Sequence, residues 1–416
     1  MAEAAGISAR SWFDRARLAR AADGLAAATA ASLPWSTSAT AILIVLWLAA
    51  ALPVLDRPTL RRVLATPAGL LPVVLWLLAL VGIAWAGDAT WQEAFRGLGS
   101  YHKLLLIPLL MAQFERSANG IWVLKAFAAS CLVLLAVSWA MVIAPELVWW
   151  KADFAGIPVK DYISQSGLFA LCLFALLPLA DGAWRDKRPV VAAAITAICA
   201  AMLANIVYVI TARTALVVLP VLALIFGLRW YGWKGTVAVA VAGAAMAALL
   251  WVSSPYLRLR ATGILDEVQS YQATNAMTSS GLRLEFWKKS VSFIADAPVL
   301  GHGTGSINPL FRRAAEGETG AAGVAAANPH QQVFAVAIQL GAVGSALLLA
   351  LWLAHGMLFW RDGFVAYCGL LVVVQNVVGS QFNSHLFDFT QGWTYVIGVG
   401  VIGGMVRGVQ ARGEVR

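Results

Sequence analysis

The chain has 416 residues, of which 60% are hydrophobic and only 12% are charged, and its mean hydropathy is +0.76. A soluble chain carries about 25% charged residues, so this composition excludes an ordinary soluble protein and predicts an all-α polytopic membrane protein. The net charge of +9 does not indicate nucleic-acid binding, because most of the 30 basic residues fall in short loops on one side of the predicted membrane domain.

The chain begins with a basic amphipathic stretch (8–22) that lacks the apolar core and cleavage site of a signal peptide. It predicts a helix lying on the cytoplasmic membrane surface, held there by Trp12 and Phe13. Repeated apolar runs follow, and they predict about twelve transmembrane helices. The predicted spans are 17–34, 37–55, 66–86, 101–116, 119–144, 162–181, 189–211, 213–228, 235–254, 330–355, 364–381 and 391–408.

The distribution of basic residues orients these spans, because loops rich in Lys and Arg stay in the cytoplasm. It predicts that both termini are cytoplasmic and divides the chain into three parts. Residues 1–254 form about nine spans, residues 255–329 form a long loop on the periplasmic or outer side, and residues 330–416 form about three spans.

The long loop has structure of its own. The stretch "GLRLEFWKKSVSFIADAPVLG" places Leu284, Trp287, Val291 and Ile294 at helical spacing before a Pro and a Gly, which predicts an amphipathic helix lying on the membrane domain. The glycine-rich segment 316–328 after it indicates a mobile connection to the next span.

Several common kinds of site are not indicated. The four cysteines, Cys131, Cys172, Cys199 and Cys368, lie within apolar runs and are expected to be core residues rather than disulfides or metal ligands. The outer loops contain no Asp-x-Asp pair and no His/Glu cluster at metal-ligand spacing, so we expect neither a metal nor another cofactor. "GHGTGS" (301–306) lacks the GK[ST] and the preceding strand of a nucleotide loop, and it is better interpreted as a tight turn.

The opening of the tenth span, "ANPHQQVFAVAIQLGAVG", is unusually polar. Asn328 is a favoured N-cap and Pro329 a favoured first helical residue, which would place His330 in the first helical turn. There the helix dipole would keep the imidazole neutral and able to act as a general base. Gly341 and Gly344 would share its helical face and allow another helix to approach closely. The alternative is an interfacial histidine that only forms local hydrogen bonds.

Four arginines are predicted on the same side of the membrane as His330. Arg213 joins two apolar runs, Arg283 opens the amphipathic helix, and Arg258 and Arg260 precede it. Taken singly, each is compatible with a snorkelling or solvated charge. Together they suit a phosphate attached to a lipid, because the planar guanidinium matches phosphate oxygens.

Three stretches, in this order, resemble the bacterial O-antigen ligase family. "TARTALVVLP" is similar to its Ser/Thr-Arg element, and "GLRLEFWKKSVSFIADAPVLGHGTGS" to its long periplasmic-loop segment. "HQQVFAVAIQLGAVG" fits its histidine motif, with His330, Gln331, Gly341 and Gly344 at the fixed positions. The resemblance covers the topology and roughly the C-terminal half of the chain.

The resemblance implies a GT-C-like glycosyltransferase with its active site on the periplasmic face of the bacterial inner membrane. The enzyme would transfer a glycan from undecaprenyl diphosphate to a sugar hydroxyl of lipid A–core oligosaccharide, with inversion and without a metal. Arg213 and Arg283 would bind the diphosphate and His330 would be the base, with Arg258, Arg260, Asn328 and Gln331 as further substrate contacts. An O-antigen polymerase or a protein O-oligosaccharyltransferase would use the same donor, and a transporter of lipid-linked sugar is a more distant alternative.

Overall fold

The computed structural model describes residues 14–147, 155–210 and 212–413. Residues 8–13 of the predicted surface helix, with Trp12 and Phe13, lie outside the described residues, and the rest of that stretch runs into α1. Within them the chain is helical and has no strand. The helices are α1 (Arg15–Ser32), α2 (Thr37–Ala51), α3 (Arg57–Leu64), α4 (Pro67–Val81), α5 (Trp91–His102), α6 (Leu106–Arg116), α7 (Gly120–Ile143), α8 (Tyr162–Arg185), α9 (Pro189–Tyr208), α10 (Arg213–Ser253), α11 (Pro255–Thr274), α12 (Ser279–Asp296), α13 (Ile307–Arg313), α14 (Gln332–Phe359), α15 (Phe364–Gly379) and α16 (Phe389–Gly413).

Eight helical segments of the described chain are long and apolar enough to cross a membrane, and α15 is a shorter apolar helix. The eight are Thr37–Val54, Pro67–Trp85, Gly120–Ile143, Tyr162–Arg185, Pro189–Tyr208, Arg213–Ser253, Gln332–Phe359 and Phe389–Gln410. The predicted all-α polytopic membrane architecture is therefore confirmed, and the four cysteines are free and buried as expected. The number of twelve crossings stays a prediction.

The longest helix, α10, is a helical hairpin rather than one rod. Its two arms meet at Gly232, whose φ of 66° and ψ of −163° are not helical. A Cβ on Gly227 would lie 3.0 Å from the carbonyl oxygen of Gly235, whereas residues eight apart in a straight helix are about 12 Å apart. The predicted spans 213–228 and 235–254 correspond to the two arms.

Helices α6 and α16 pack closely in the middle of the bundle. A Cβ on Gly404 would lie 2.6 Å from the main-chain oxygen of Met111, and one on Gly408 would lie 2.5 Å from that of Glu115. Small residues at four-residue spacing thus let the two backbones touch, as is common between membrane helices.

Polar contacts mark the two ends of this helix pair. At one end, Lys103 donates hydrogen bonds to the main-chain oxygens of the two residues that precede α16, at 3.0 and 2.9 Å. At the other end, Arg407 donates to Glu115 at 2.8 Å. Arg407 lies 18 residues after the start of α16, so at about 1.5 Å per residue the two contacts are roughly 27 Å apart along that helix. Residues 380–388 lie at the first end, which we call the His330 end for reasons given below.

The long predicted loop contains three helices, α11 to α13. The predicted amphipathic helix is present as α12, but its protein-facing side differs from the predicted one. Phe286 and Phe293 are buried and pack against Phe311, with ring centroids 5.7 and 5.2 Å apart. Of the predicted stripe, Leu284 and Val291 are exposed, whereas Trp287 packs on Phe334 and Ile294 packs against the same buried cluster. The buried side of α12 therefore coincides only in part with the predicted stripe.

The glycine-rich segment 316–328, predicted to be mobile, is tied to the helices before it. The Asn275 side chain donates to the main-chain oxygen of Thr319 at 2.6 Å, and the amide of Ala321 donates to the main-chain oxygen of Asn275 at 2.9 Å. Lys289 of α12 donates to the main-chain oxygen of Ala322. The segment is therefore anchored at its middle.

Helix α14 is broken at Gly341, where φ is 62° and ψ is −155°. The segment 298–303 enters the break and forms four main-chain hydrogen bonds with it. These are Ala342 N to Pro298 O (2.8 Å), Val343 N to Val299 O (3.3 Å), His302 N to Ile338 O (2.8 Å) and Gly303 N to Gln339 O (2.9 Å). The prediction of one straight helical face carrying His330, Gly341 and Gly344 is therefore wrong.

Candidate active site

His330 lies in a turn immediately before α14. Its φ is 55°, so the residue cannot belong to the helix. The N-cap is Gln331, whose side-chain oxygen accepts a hydrogen bond from the amide of Phe334 at 2.6 Å. Asn328 instead caps the turn, because its side-chain oxygen accepts from the amide of His330 at 2.9 Å. The prediction that Asn328 caps the helix and Pro329 starts it is wrong by three residues, because the positive φ of His330 interrupts the helix there: the N-cap is Gln331 and the first helical residue is Gln332.

The imidazole is held by a second polar residue, Asn383, which follows α15. Nδ1 of His330 lies 2.9 Å from Oδ1 of Asn383, and Nδ2 of Asn383 donates to Asp388 at 2.6 Å. An ionised carboxylate can only accept, so it fixes the amide with its oxygen toward the histidine. Nδ1 then carries the proton, and Nε2 is left as the basic nitrogen.

The surroundings of His330 favour the neutral ring. Burial lowers its pKa below the usual value, the hydrogen bond to Asn383 opposes this effect, and the charge of Arg283 lowers the pKa further. The ring also stacks on Phe286, with centroids 6.0 Å apart. Burial and a nearby cation, rather than the helix dipole that the sequence suggested, therefore favour the neutral imidazole.

Asp388 has an unusual environment too. Burial raises its pKa to about 6 and the charge of Asp161 adds to the effect, whereas Lys103 and the Asn383 hydrogen bond oppose it. The carboxylate is still mostly ionised at pH 7, which keeps the Asn383 amide in the orientation described above.

Arg213 begins α10 and forms a two-pronged ion pair with Glu267 of α11. Its two terminal nitrogens lie 3.0 and 2.6 Å from the two carboxylate oxygens, and one of them also donates to the Ser280 hydroxyl at 2.9 Å. The amide of Ser280 donates to Glu267 at 2.9 Å. The hydrogen bond from Arg213 is the main cause that lowers the pKa of Glu267 to about 2. Three helices thus meet at this guanidinium.

Arg283 lies one turn into α12, half-buried. Its guanidinium forms no side-chain hydrogen bond or ion pair with any residue of the described chain. Burial is the main cause that lowers its pKa, with a further contribution from the charge of Arg213 and an opposing one from Glu267. The charge of Arg283 also lowers the pKa of His330. Arg213, Arg283 and His330, predicted from distant parts of the sequence, are therefore close enough to interact electrostatically in series.

The other predicted contacts are arranged differently. Arg258 donates to the main-chain oxygens of Trp251 and Val252 at 2.5 and 2.7 Å, so it closes the end of α10. The side chain of Arg260 lies outside the described part of the structure. The side chains of Asn328 and Gln331 form hydrogen bonds within the protein, and substrate contacts by these four residues stay predictions.

The GHGTGS segment does not present its backbone to a phosphate. The amides of residues 302 and 303 donate to α14, that of Thr304 donates to the main-chain oxygen of Gly82 at 3.0 Å, and that of Gly305 donates to the Gln339 side chain at 2.8 Å. The segment is a structural turn, as its sequence predicts. In the described residues, no group of three or more His, Cys, Asp or Glu side chains is placed to hold a metal ion.

The sequence profile of the O-antigen ligase family matches residues 198–349. Residues 198–349 are an O-antigen ligase domain. A search of curated proteins finds no match to the chain.

The O-antigen ligase domain includes Arg213, Glu267, Arg283 and His330, but it ends before the residues that orient the histidine. Asn383 and its neighbours were missed in the sequence, although a signal for them exists. The stretch "SQFNSHLFD" (380–388) is a polar interruption between two apolar runs, and the predicted topology places it on the same side of the membrane as His330.

Proposed function

We propose that this O-antigen ligase domain transfers a glycan from undecaprenyl diphosphate to a sugar hydroxyl of lipid A–core oligosaccharide. The reaction would take place at the His330 end, on the periplasmic face of the bacterial inner membrane. The family match supports membership of the O-antigen ligase and polymerase group; the donor, the acceptor and the residue roles are our proposal.

The observation that carries the proposal is the unpaired guanidinium of Arg283 between a second arginine and a neutral histidine. A half-buried cation without a partner is unfavourable unless a bound anion compensates it. Two neighbouring guanidiniums match the two phosphates of a diphosphate, because each guanidinium can bind one phosphate through a pair of parallel hydrogen bonds. Because Glu267 holds Arg213, a diphosphate would have to compete with that carboxylate.

The transfer would follow in one displacement. Nε2 of His330 accepts the proton of the acceptor hydroxyl while the oxygen attacks the anomeric carbon of the glycan. The bond between that carbon and the diphosphate oxygen breaks, and Arg213 and Arg283 stabilise the charge that the leaving undecaprenyl diphosphate gains. Attack opposite the leaving group gives inversion. Since the guanidiniums supply the positive charge, the reaction should need no metal ion.

Acceptor choice tests the proposal most directly. Purified protein would be incubated with labelled lipid-linked glycan and, separately, with lipid A–core, with additional lipid-linked glycan, or with a pilin-like protein. We expect labelled lipid A–core to form, and to form equally well in EDTA. The His330→Ala variant should give no such product although it has the same melting temperature as the unaltered protein. Label in longer lipid-linked chains would identify a polymerase, label in the protein would identify a protein glycosyltransferase, and no product from any acceptor would favour transport.

A further inference from the structure

A cavity of about 290 Å³, lined by both polar and apolar groups, lies beside the Asn-Pro-His turn. Its walls come from α5, from the turn before α13, from the start of α13 and from the two segments that hold His330. The polar side chains that line it are Glu93, Arg96, Ser100, Asn308, Asn328, Gln339, Ser384 and Asp388. Its volume is close to the lower end of the range of about 300–1,000 Å³ found for small-molecule sites.

This cavity shares two walls with the structure that positions the histidine. Asn328, which accepts from the amide of His330, lines it, as does Pro329, the residue directly before His330. Asp388 lines it as well and accepts from the Asn383 amide that holds the imidazole. A molecule in the cavity is therefore adjacent to the residues that fix the proposed base.

Three of the lining side chains have no partner in the protein. Arg96, Ser100 and Asn308 form no side-chain hydrogen bond or ion pair with any described residue, although Ser100 and Asn308 are half-buried. A guanidinium donates hydrogen bonds, and a hydroxyl and a carboxamide both donate and accept. Phe387 and Ile307 add an apolar surface.

That combination matches a sugar ring, whose hydroxyls donate and accept while its C–H face packs against apolar groups. Two larger cavities do not offer this combination of polar and apolar groups near His330. One, of about 430 Å³, is lined by apolar side chains of α7, α8, α15 and α16, among them Leu171 and Ile397. The other, of about 520 Å³, lies around Asp23 and Arg116, at the end of the bundle where α6 ends.

We propose that the cavity between α5 and the Asn-Pro-His turn binds the acceptor sugar, with Arg96, Ser100 and Asn308 as the hydrogen-bonding residues. The inference rests on the proposed function. It places the acceptor on the α5 side of His330 and the donor diphosphate on the side of α10 and α12. The specificity of the enzyme for its acceptor then depends on α5, which lies outside the matched residues 198–349.

Binding can be measured without turnover in a His330→Ala background. The probe is deacylated lipid A–core oligosaccharide, titrated into detergent-solubilised protein. Ser100→Phe fills the cavity and should weaken binding at least tenfold, and Arg96→Gln should weaken it several-fold. Ser100→Ala keeps the volume and loses one of the proposed hydrogen bonds, so it should weaken binding several-fold, less than Ser100→Phe does. Gln92→Phe adds the same ring at an exposed position of α5 that does not line the cavity, and it should leave the dissociation constant unchanged.

Donor binding by each variant shows whether the fold is intact. If Ser100→Phe binds the donor normally and the oligosaccharide as tightly as Gln92→Phe does, the acceptor lies elsewhere and the inference is wrong. Turnover by the otherwise unaltered protein decides the proposed function separately. A protein that binds the oligosaccharide in this cavity but transfers nothing to it would overturn the proposed reaction and leave the assigned site standing.

Discussion

The ion pair between Arg213 and Glu267 sets up a competition that can be measured. If the donor diphosphate binds Arg213, it must displace Glu267, so Glu267→Gln should strengthen donor binding. The pKa of Glu267 falls from 4.5 to about 2, and each pKa unit corresponds to about 1.36 kcal/mol, so Arg213 and Ser280 together stabilise the ionised carboxylate by a net amount of about 3.4 kcal/mol after the cost of burial. The Arg213 and Glu267 side chains are 19% and 25% exposed, and solvent screening reduces the usable part to about 1–2 kcal/mol.

A gain of this size corresponds to roughly 5- to 30-fold tighter binding. The assay is equilibrium binding of labelled undecaprenyl-diphosphate-linked glycan to protein in nanodiscs. Glu318→Gln removes one negative charge from an exposed position of the loop after α13 and serves as the matched control, for which we expect no change. Unchanged or weaker binding by Glu267→Gln would refute the competition and would indicate that Glu267 instead holds Arg213 in its binding orientation.

Four further predictions concern the site and the break in α14. A general base must be neutral, so transfer should fall as the pH drops through the pKa of His330, below about 6.5. Asn383→Leu should reduce the maximal rate by about 100-fold. It should also move this fall in rate at acid pH (the acid limb) to lower pH, because the Asn383 hydrogen bond raises the pKa of His330. An acid limb that stays in place would restrict Asn383 to a structural role. Arg283→Lys should weaken donor binding about tenfold and leave the limb in place, whereas Arg283→Gln should move it to higher pH, since the Arg283 charge lowers the pKa of His330. Gly341→Ala should destabilise the protein by about 2–4 kcal/mol, because its φ of 62° and ψ of −155° are open only to glycine; Gly356→Ala, in open space on the same helix, should leave the melting temperature unchanged or slightly higher.

The membrane helices could be predicted because hydropathy and helical length are local properties of the sequence. The break at Gly341 could not, since the bonds that stabilise it come from residues 298–303, about forty positions earlier. Periodicity alone favoured a continuous helix there. The same holds for part of the buried side of α12, because Phe286 and Phe293 lie outside the predicted stripe and are buried by contact with Phe311.

The site shows a similar division. Arg213, Arg283 and His330 stand out in the sequence because charged and titratable groups are rare in and next to apolar helices. Their partners do not, because the roles of Glu267 and Asn383 arise only when segments more than fifty residues apart come together. The sequence also suggested the wrong reason for a neutral His330, since the burial of a ring cannot be read from its neighbours in the chain.

The pairing of segment 298–303 with the two sides of Gly341 has a consequence for how relatives of this chain should vary in length. Main-chain bonds, and not the intervening loop, determine how far the arginine of α12 lies from the histidine. An extra residue near Gly317, which is exposed and has open space around it, would leave that separation untouched. One added inside α12, between Arg283 and Pro298, would rotate the guanidinium by about 100° relative to the anchor. Among relatives, insertions should therefore be common near Gly317 and rare between Arg283 and Pro298.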